Sequence, residues 1–218
     1  MILRPVSPVS PTGPPMTKRP VGLIYTFVRW SKRPVSPKTG AMTSDRKNSS
    51  KNPRSVSASC WWDPAYGAQV KGDASVVAAV FTDDQGHYWL HRIRYLQHDP
   101  ALVDQVDEAT QLCRQVATFL RECHLPAITV ETNGVGRFLP GLLRSELRAQ
   151  RMPCAVVERS SSRNKDLRII EAFDAVLAAG RLSAHRSVWE TPFILEMREW
   201  RPGSRGQDDG LDAVAGCL

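Results

Sequence analysis

The sequence has few cysteines, and no arrangement of them builds a site. Cys60, Cys113, Cys123, Cys154 and Cys217 are odd in number, scattered and without a CxxC spacing. That fits reduced thiols in a cytosolic compartment better than a disulfide framework or a thiolate zinc site. His87, His91, His98, His124 and His185 form no HExxH pattern. His87 and His91 share a strand face by parity and are expected at the surface. No apolar run reaches the length that crosses a bilayer. Nowhere does GxxxxGK precede a Ser or Thr, which excludes a P-loop nucleotide motor.

What is present is unevenly distributed. The net charge of +7 over 218 residues points to a polyanion, but residues 1–60 hold eleven Lys or Arg against one acid. The remaining eighteen bases face twenty-one acids, a balance of −3. The basicity therefore belongs to the leader, and the rest of the chain must meet a polyanion through local patches and metal. Residues 1–57 hold nine of the sixteen prolines, and Arg-Pro-Val-Ser-Pro occurs at 4–8 and again at 33–37. Such a composition buries too little apolar surface to offset chain entropy, so a disordered leader is expected. Its one apolar run, residues 21–28, lacks the flanks and cleavage site of a secretory signal. The leader reads as a tether or an accident of gene rearrangement, the other reading being a basic arm that contacts DNA.

From about Ser57 the texture becomes that of an α/β domain. Cys60-Trp61-Trp62 leads into Asp63, and the β-branched run 75–81 suits a buried strand. A turn at 83–86 and a returning strand at 87–96 complete an antiparallel meander. Leu102, Val106, Ala109, Leu112, Cys113, Val116 and Leu120 predict a packing helix over 101–123, stopped before Pro126. The short strand 127–131 is then reached by a helical crossover, which implies parallel pairing. If its neighbour is the first strand, Asp63 and Glu131 end side by side. Gly134-Val135-Gly136 resembles part of a phosphate loop, but a tight start for the next helix, 140–150, accounts for it better. A strand at 154–158, a helix at 166–179 with Leu167, Ile170, Phe173, Val176 and Leu177 inward, and a brief strand at 181–184 follow. Thr191 as cap and Pro192 in the first turn predict a helix to Trp200.

Three carboxylate positions carry the chemistry. Asp63 closes an apolar run and is cut off by Pro64, Glu131 ends a second run before Thr132-Asn133-Gly134, and Asp208, Asp209 and Asp212 open the last segment. Singly these are a turn residue, a helix charge and a helix cap. Together, on three elements, they are what a site for hard cations requires. Asp208 and Asp212 share a helical face at i, i+4. The last helix is so short that either the domain once continued or tertiary packing holds it. The loop 159–165 is either a solvated connection or a phosphate contact through Arg163, Lys165 and nearby Arg168.

Taken in order, WDPAYG and GDASVVAAVF, ITVETNGVG, SSRNKDLRI and QDDGLDAVAG resemble the nuclease domain of the tailed-bacteriophage terminase large subunit. The resemblance covers residues 58–218. It implies an RNase H-like mixed sheet, an antiparallel three-strand meander plus parallel strands, flanked by helices and preceded by the leader 1–57. It also implies a metal-dependent endonuclease that cuts concatemeric viral DNA during genome packaging in the host cytoplasm. Its implied cofactors are two Mg²⁺ or Mn²⁺ ions, its substrate double-stranded DNA, and its partners the terminase small subunit and the portal protein. Asp63 matches the first-strand acid, Glu131 the acid of the central parallel strand and Asp209 the acid of the late helix. Asp73, Asp208 and Asp212 match supporting acids, and Lys165 a basic position beside the site. Whether Asp208 or Asp209 ligates metal stays open. Asp63 would bridge the two ions, with Glu131 and Asp209 each completing one. Terminase large subunits carry a packaging ATPase ahead of the nuclease, so without a P-loop this chain is not expected to translocate DNA by itself. The rivals are a junction-resolvase-like nuclease of the same fold and an inactive prophage remnant that at most binds DNA.

Overall fold

The structure, a computed structural model, describes residues 29–31, 56–65, 74–204 and 206–218. Most of the leader, including the apolar run 21–28, lies outside these residues, as does Asp73. Among the described residues, seven strands form one sheet: β1 (Arg29–Ser31), β2 (Val56–Asp63), β3 (Ser75–Asp83), β4 (Tyr88–Leu96), β5 (Ala127–Glu131), β6 (Ala155–Arg159) and β7 (Leu182–His185). Five helices accompany them: α1 (Glu108–Cys123), α2 (Leu139–Ala149), α3 (Lys165–Ala178), α4 (Phe193–Glu199) and α5 (Asp209–Cys217). Strand order is β1-β7-β4-β3-β2-β5-β6. β2, β3 and β4 are the antiparallel meander, and β5 joins β2 in parallel with Trp62 opposite Val130. That register brings Asp63 and Glu131 out at the same end of the sheet.

Alternation along the strands sorts the core into two layers. Cys60, Trp62, Val77 and Ala79 face α1 and α2, while Trp61, Val76, Ala78 and Val80 face α3, α4 and α5. The short α5 owes its helicity to this packing, since eight of its nine residues are buried. A Cβ on Gly216 would stand 2.3 Å from the Trp61 ring, so only glycine lets the helix lie flat on that indole.

Several local expectations change. Arg29–Ser31, inside the stretch expected to be disordered, forms an edge strand parallel to β7. α1 begins at Glu108, where Asp107 caps it by accepting from the Thr110 N–H at 2.9 Å, and Leu102 is exposed in the preceding turn. On α3 the buried positions are Ile169, Phe173 and Leu177, and Leu167 faces solvent. Apolar residues near a helix start do not fix its rotation; the sheet beneath does. Thr191 does not cap α4, because its hydroxyl donates back to the Val188 carbonyl. The β3–β4 register slips between Ala79 and Val80, pairing Arg92 with Ala79 and Leu90 with Val80. This makes His91 an extra residue, and a bulge breaks the parity that put it on the surface. His91 is instead half-buried, edge-on to Phe81. The five cysteines are free, and no described helix is long and apolar enough to cross a membrane.

Candidate metal centre

Four elements deliver the site, each from an end that the fold fixes. Asp63 leaves β2, Glu131 leaves β5 beside it, Asp209 and Asp212 lie in the first turn of α5, and Lys165 and Arg168 in that of α3. They line a cavity of about 270 Å³ together with Asn133, Ser161 and Arg163. One oxygen each of Asp63, Glu131 and Asp212 lie within 4.8 Å of one another. Glu131 is 5% and Asp212 3% exposed. At that spacing each pair of charges repels by about 3–4 kcal/mol at an effective dielectric near 20, so the arrangement calls for cations.

α3 supplies two. The Lys165 ammonium stands 2.7 Å from Asp208, 3.2 Å from Asp209 and 3.7 Å from Asp212. The Arg168 guanidinium donates to Glu131 at 3.1 Å and to Asp212 at 2.8 Å through Nε, with a second, shorter contact to Asp212 through its terminal nitrogen. Asn133 donates to Glu131 at 2.6 Å and accepts from the Ser161 N–H, tying the loop after β6 to the site. Burial, then the charges of Asp212 and Glu131, push the Asp63 carboxyl up to about 8. Burial likewise raises Asp212 and Asp209, opposed by Arg168 at the first and by the Ala74 N–H and Lys165 at the second. Burial works against the Lys165 ammonium, yet the Asp208 hydrogen bond and the surrounding acids hold it above its ordinary value.

The donor set fits a hard divalent cation. All three converging ligands are carboxylates, and Glu131 Oε2 is buried without a hydrogen-bond partner. A buried acceptor left open in this way is a coordination position in waiting.

The expected residues are redistributed. Asp63, Glu131 and Lys165 meet in the cavity. The third acid beside Asp63 and Glu131 is Asp212, read from sequence as a supporting residue, whereas Asp209 has one oxygen on the Ala74 N–H at 2.9 Å and the other on Lys165. Asp208 sits at the cap position, does not line the cavity, and grips Lys165. The face shared by the cavity acids is therefore i, i+3, Asp209 with Asp212, and not the i, i+4 pair Asp208 and Asp212. Arg168, expected as a phosphate contact, is turned inward and 17% exposed. Arg163 lines the mouth and is 77% exposed. Gly136 packs near Leu139 and Pro64, in keeping with a close helix start. Asn133 was missed: in Thr-Asn-Gly it reads as a turn residue, and its only signal is lying two positions beyond Glu131.

A mixed sheet of this order with acids at the ends of two neighbouring parallel strands and on a late helix defines an RNase H-like domain. Residues 68–182, just over half of the chain, match the family of the bacteriophage T7 terminase, ribonuclease H-like domain. The chain belongs to that family. Among solved structures it is similar to the manganese-soaked terminase nuclease domain of human cytomegalovirus, with 16% identity, TM-score 0.53, and coverage of 72% of this chain and 79% of that one. It is also similar to the nuclease domain of the large terminase subunit gp2 of bacterial virus Sf6, with 12% identity, TM-score 0.51, and coverage of 73% and 86%. No curated protein matches the chain.

Proposed function

We propose that this chain is a divalent-metal-dependent endonuclease acting on double-stranded DNA, of the kind that cuts concatemeric viral DNA during packaging in the bacterial cytoplasm. The observation that carries the reading is the convergence of Asp63, Glu131 and Asp212 within 4.8 Å around an unpartnered Glu131 oxygen. Family membership supplies the nuclease context.

Asp63, Glu131 and Asp212 would hold Mg²⁺ or Mn²⁺, and Asp209, which lines the same cavity, would serve a second ion. Such ions activate an attacking water and stabilise the leaving oxygen of a phosphodiester. Lys165 and Arg168 neutralise the acids, and Lys165 would also offset charge on the phosphate. Asn133 keeps Glu131 oriented. Arg163, at the mouth, contacts a neighbouring phosphate, which positions DNA without reading its sequence. The terminase small subunit and the portal protein are the assembly partners of this reading.

The test is relaxation of supercoiled plasmid by the purified chain with Mn²⁺, beside Asp63→Ala and an EDTA control. Metal-dependent nicking lost in the variant is expected. Equal traces in wild type and variant would refute the proposal.

A further inference from the structure

Helix α5 carries Asp209 and Asp212, yet the residue at its cap position does not cap it. Asp208 makes no side-chain bond to the helix, because Lys165 holds its carboxylate at 2.7 Å. The first N–H groups of a buried helix still need acceptors, and here another element provides one. Glu196 on α4, 4% exposed, accepts from the Leu211 N–H through Oε2 at 3.1 Å. Its other oxygen accepts from the Tyr95 hydroxyl of β4 at 2.7 Å. Position 210 must be glycine for this: a Cβ there would stand 2.0 Å from Tyr95 Oη and 2.7 Å from Glu196 Oε2.

Resting on the nuclease reading above, we infer that Tyr95 and Glu196 are positioning residues that cap α5 from outside and fix the depth and rotation at which Asp212 meets Asp63 and Glu131. Neither lines the cavity, so neither touches metal or substrate. The groups converging on Glu196 are all donors, which suits an acceptor-only carboxylate, and a negative charge at this end of the helix is favoured by its dipole. The cap from α4 also leaves Asp208 free to hold Lys165. One buried unit thus connects β4 and α4 to the acids on α5.

The test uses the full chain with Glu196→Ala, Glu196→Gln and Tyr95→Phe, and two readouts: amide hydrogen exchange across α5 without metal, and Mn²⁺ affinity by calorimetry. In Glu196→Ala, exchange in α5 rises while the rest of the sheet is unchanged, and Mn²⁺ binds about tenfold more weakly, as for other groups that orient metal ligands. Glu196→Gln retains both properties, since its carbonyl accepts from the helix while its amide donates to the Tyr95 oxygen. If Glu196→Ala does not fold, Tyr95→Phe decides, with α5 exchange and Mn²⁺ affinity both altered by a few-fold. Wild-type exchange and affinity in the deciding variant overturn the inference. So does faster α5 exchange with unchanged affinity, which leaves the pair only a structural role. A wild type that binds Mn²⁺ but nicks no DNA refutes the nuclease reading alone, and one that binds no Mn²⁺ overturns both.

Discussion

Replacing Asp63 by Asn should stabilise the metal-free protein while removing its response to metal. Asp63 shares its cavity with Glu131 and Asp212, and burial with these neighbours moves its carboxyl from 3.8 to about 8. The folded state holds a proton that the unfolded chain releases, so this group's contribution to stability falls as pH rises from 3.8 to about 8 and is level above that. Near neutral pH the full linkage would reach about 4 kcal/mol. Water entering the cavity screens the charges, and about 2 kcal/mol is the better expectation. Asn has the size of the protonated acid and no charge to lose. At about 2–4 °C per kcal/mol for a chain of this size, Asp63→Asn should melt about 4–8 °C above wild type in EDTA near pH 8. The difference should shrink toward about pH 4. Saturating Mn²⁺, at about a hundredfold over its dissociation constant, adds about 2.7 kcal/mol to wild type alone. The order of melting should then narrow or reverse. Thermal scans with and without Mn²⁺ at several pH values check this. A variant that melts below wild type in EDTA, or Mn²⁺ shifts of equal size in both proteins, would refute the argument that these carboxylates repel one another in one metal site.

The other predictions probe separate parts of the same construction. Arg168→Ala leaves Glu131 and Asp212 buried without their shared cation and should cost about 2–3 kcal/mol in metal-free denaturant titrations, with Mn²⁺ restoring most of it. Gly216→Ala pushes a methyl into the Trp61 ring and should lower stability by about 1–3 kcal/mol, seen as a lower urea midpoint with unchanged slope. Arg163→Ala removes an exposed charge at the cavity mouth. It should leave melting unchanged and reduce the salt dependence of duplex DNA binding by about one counterion.

The fold was legible where burial sets a strict period. Runs such as Val76–Phe81 and Ile128–Val130 are apolar enough to declare buried strands, and the helix between them requires a parallel crossover, so the meander and the parallel pairing of β5 followed, while β2 as its neighbour was only a condition that the register meets. Positions that depend on a local irregularity were not legible. The bulge at His91 comes from a register slip that alternation cannot announce. The strand Arg29–Ser31 exists through pairing with β7, and three residues carry no periodicity of their own. Helix starts were misplaced wherever an N–H acceptor was chosen against the expected side chain, as with Asp107 in place of an earlier start and Thr191 bonding backwards.

The acids show the same division at the site itself. That carboxylates end β2 and β5 is written into the sequence, because strand ends are marked by Pro64 and by Thr132-Asn133-Gly134. Which acid of α5 joins them is not, because successive residues of a helix turn about 100°, so Asp212 lies between Asp208 and Asp209, roughly 40° from the first and 60° from the second, and the sequence does not say which of the three the helix's rotation turns inward. The rotation is set elsewhere, by Gly216 against Trp61 at one end and Gly210 against Tyr95 and Glu196 at the other. With both ends fixed, Asp212 points at Asp63 and Glu131, Asp209 takes the Ala74 N–H, and Asp208 turns aside to Lys165. Two glycines that look like weak points in a short helix therefore decide its ligand, and a substitution at either should weaken Mn²⁺ binding in calorimetry by displacing Asp212, although neither glycine lines the cavity.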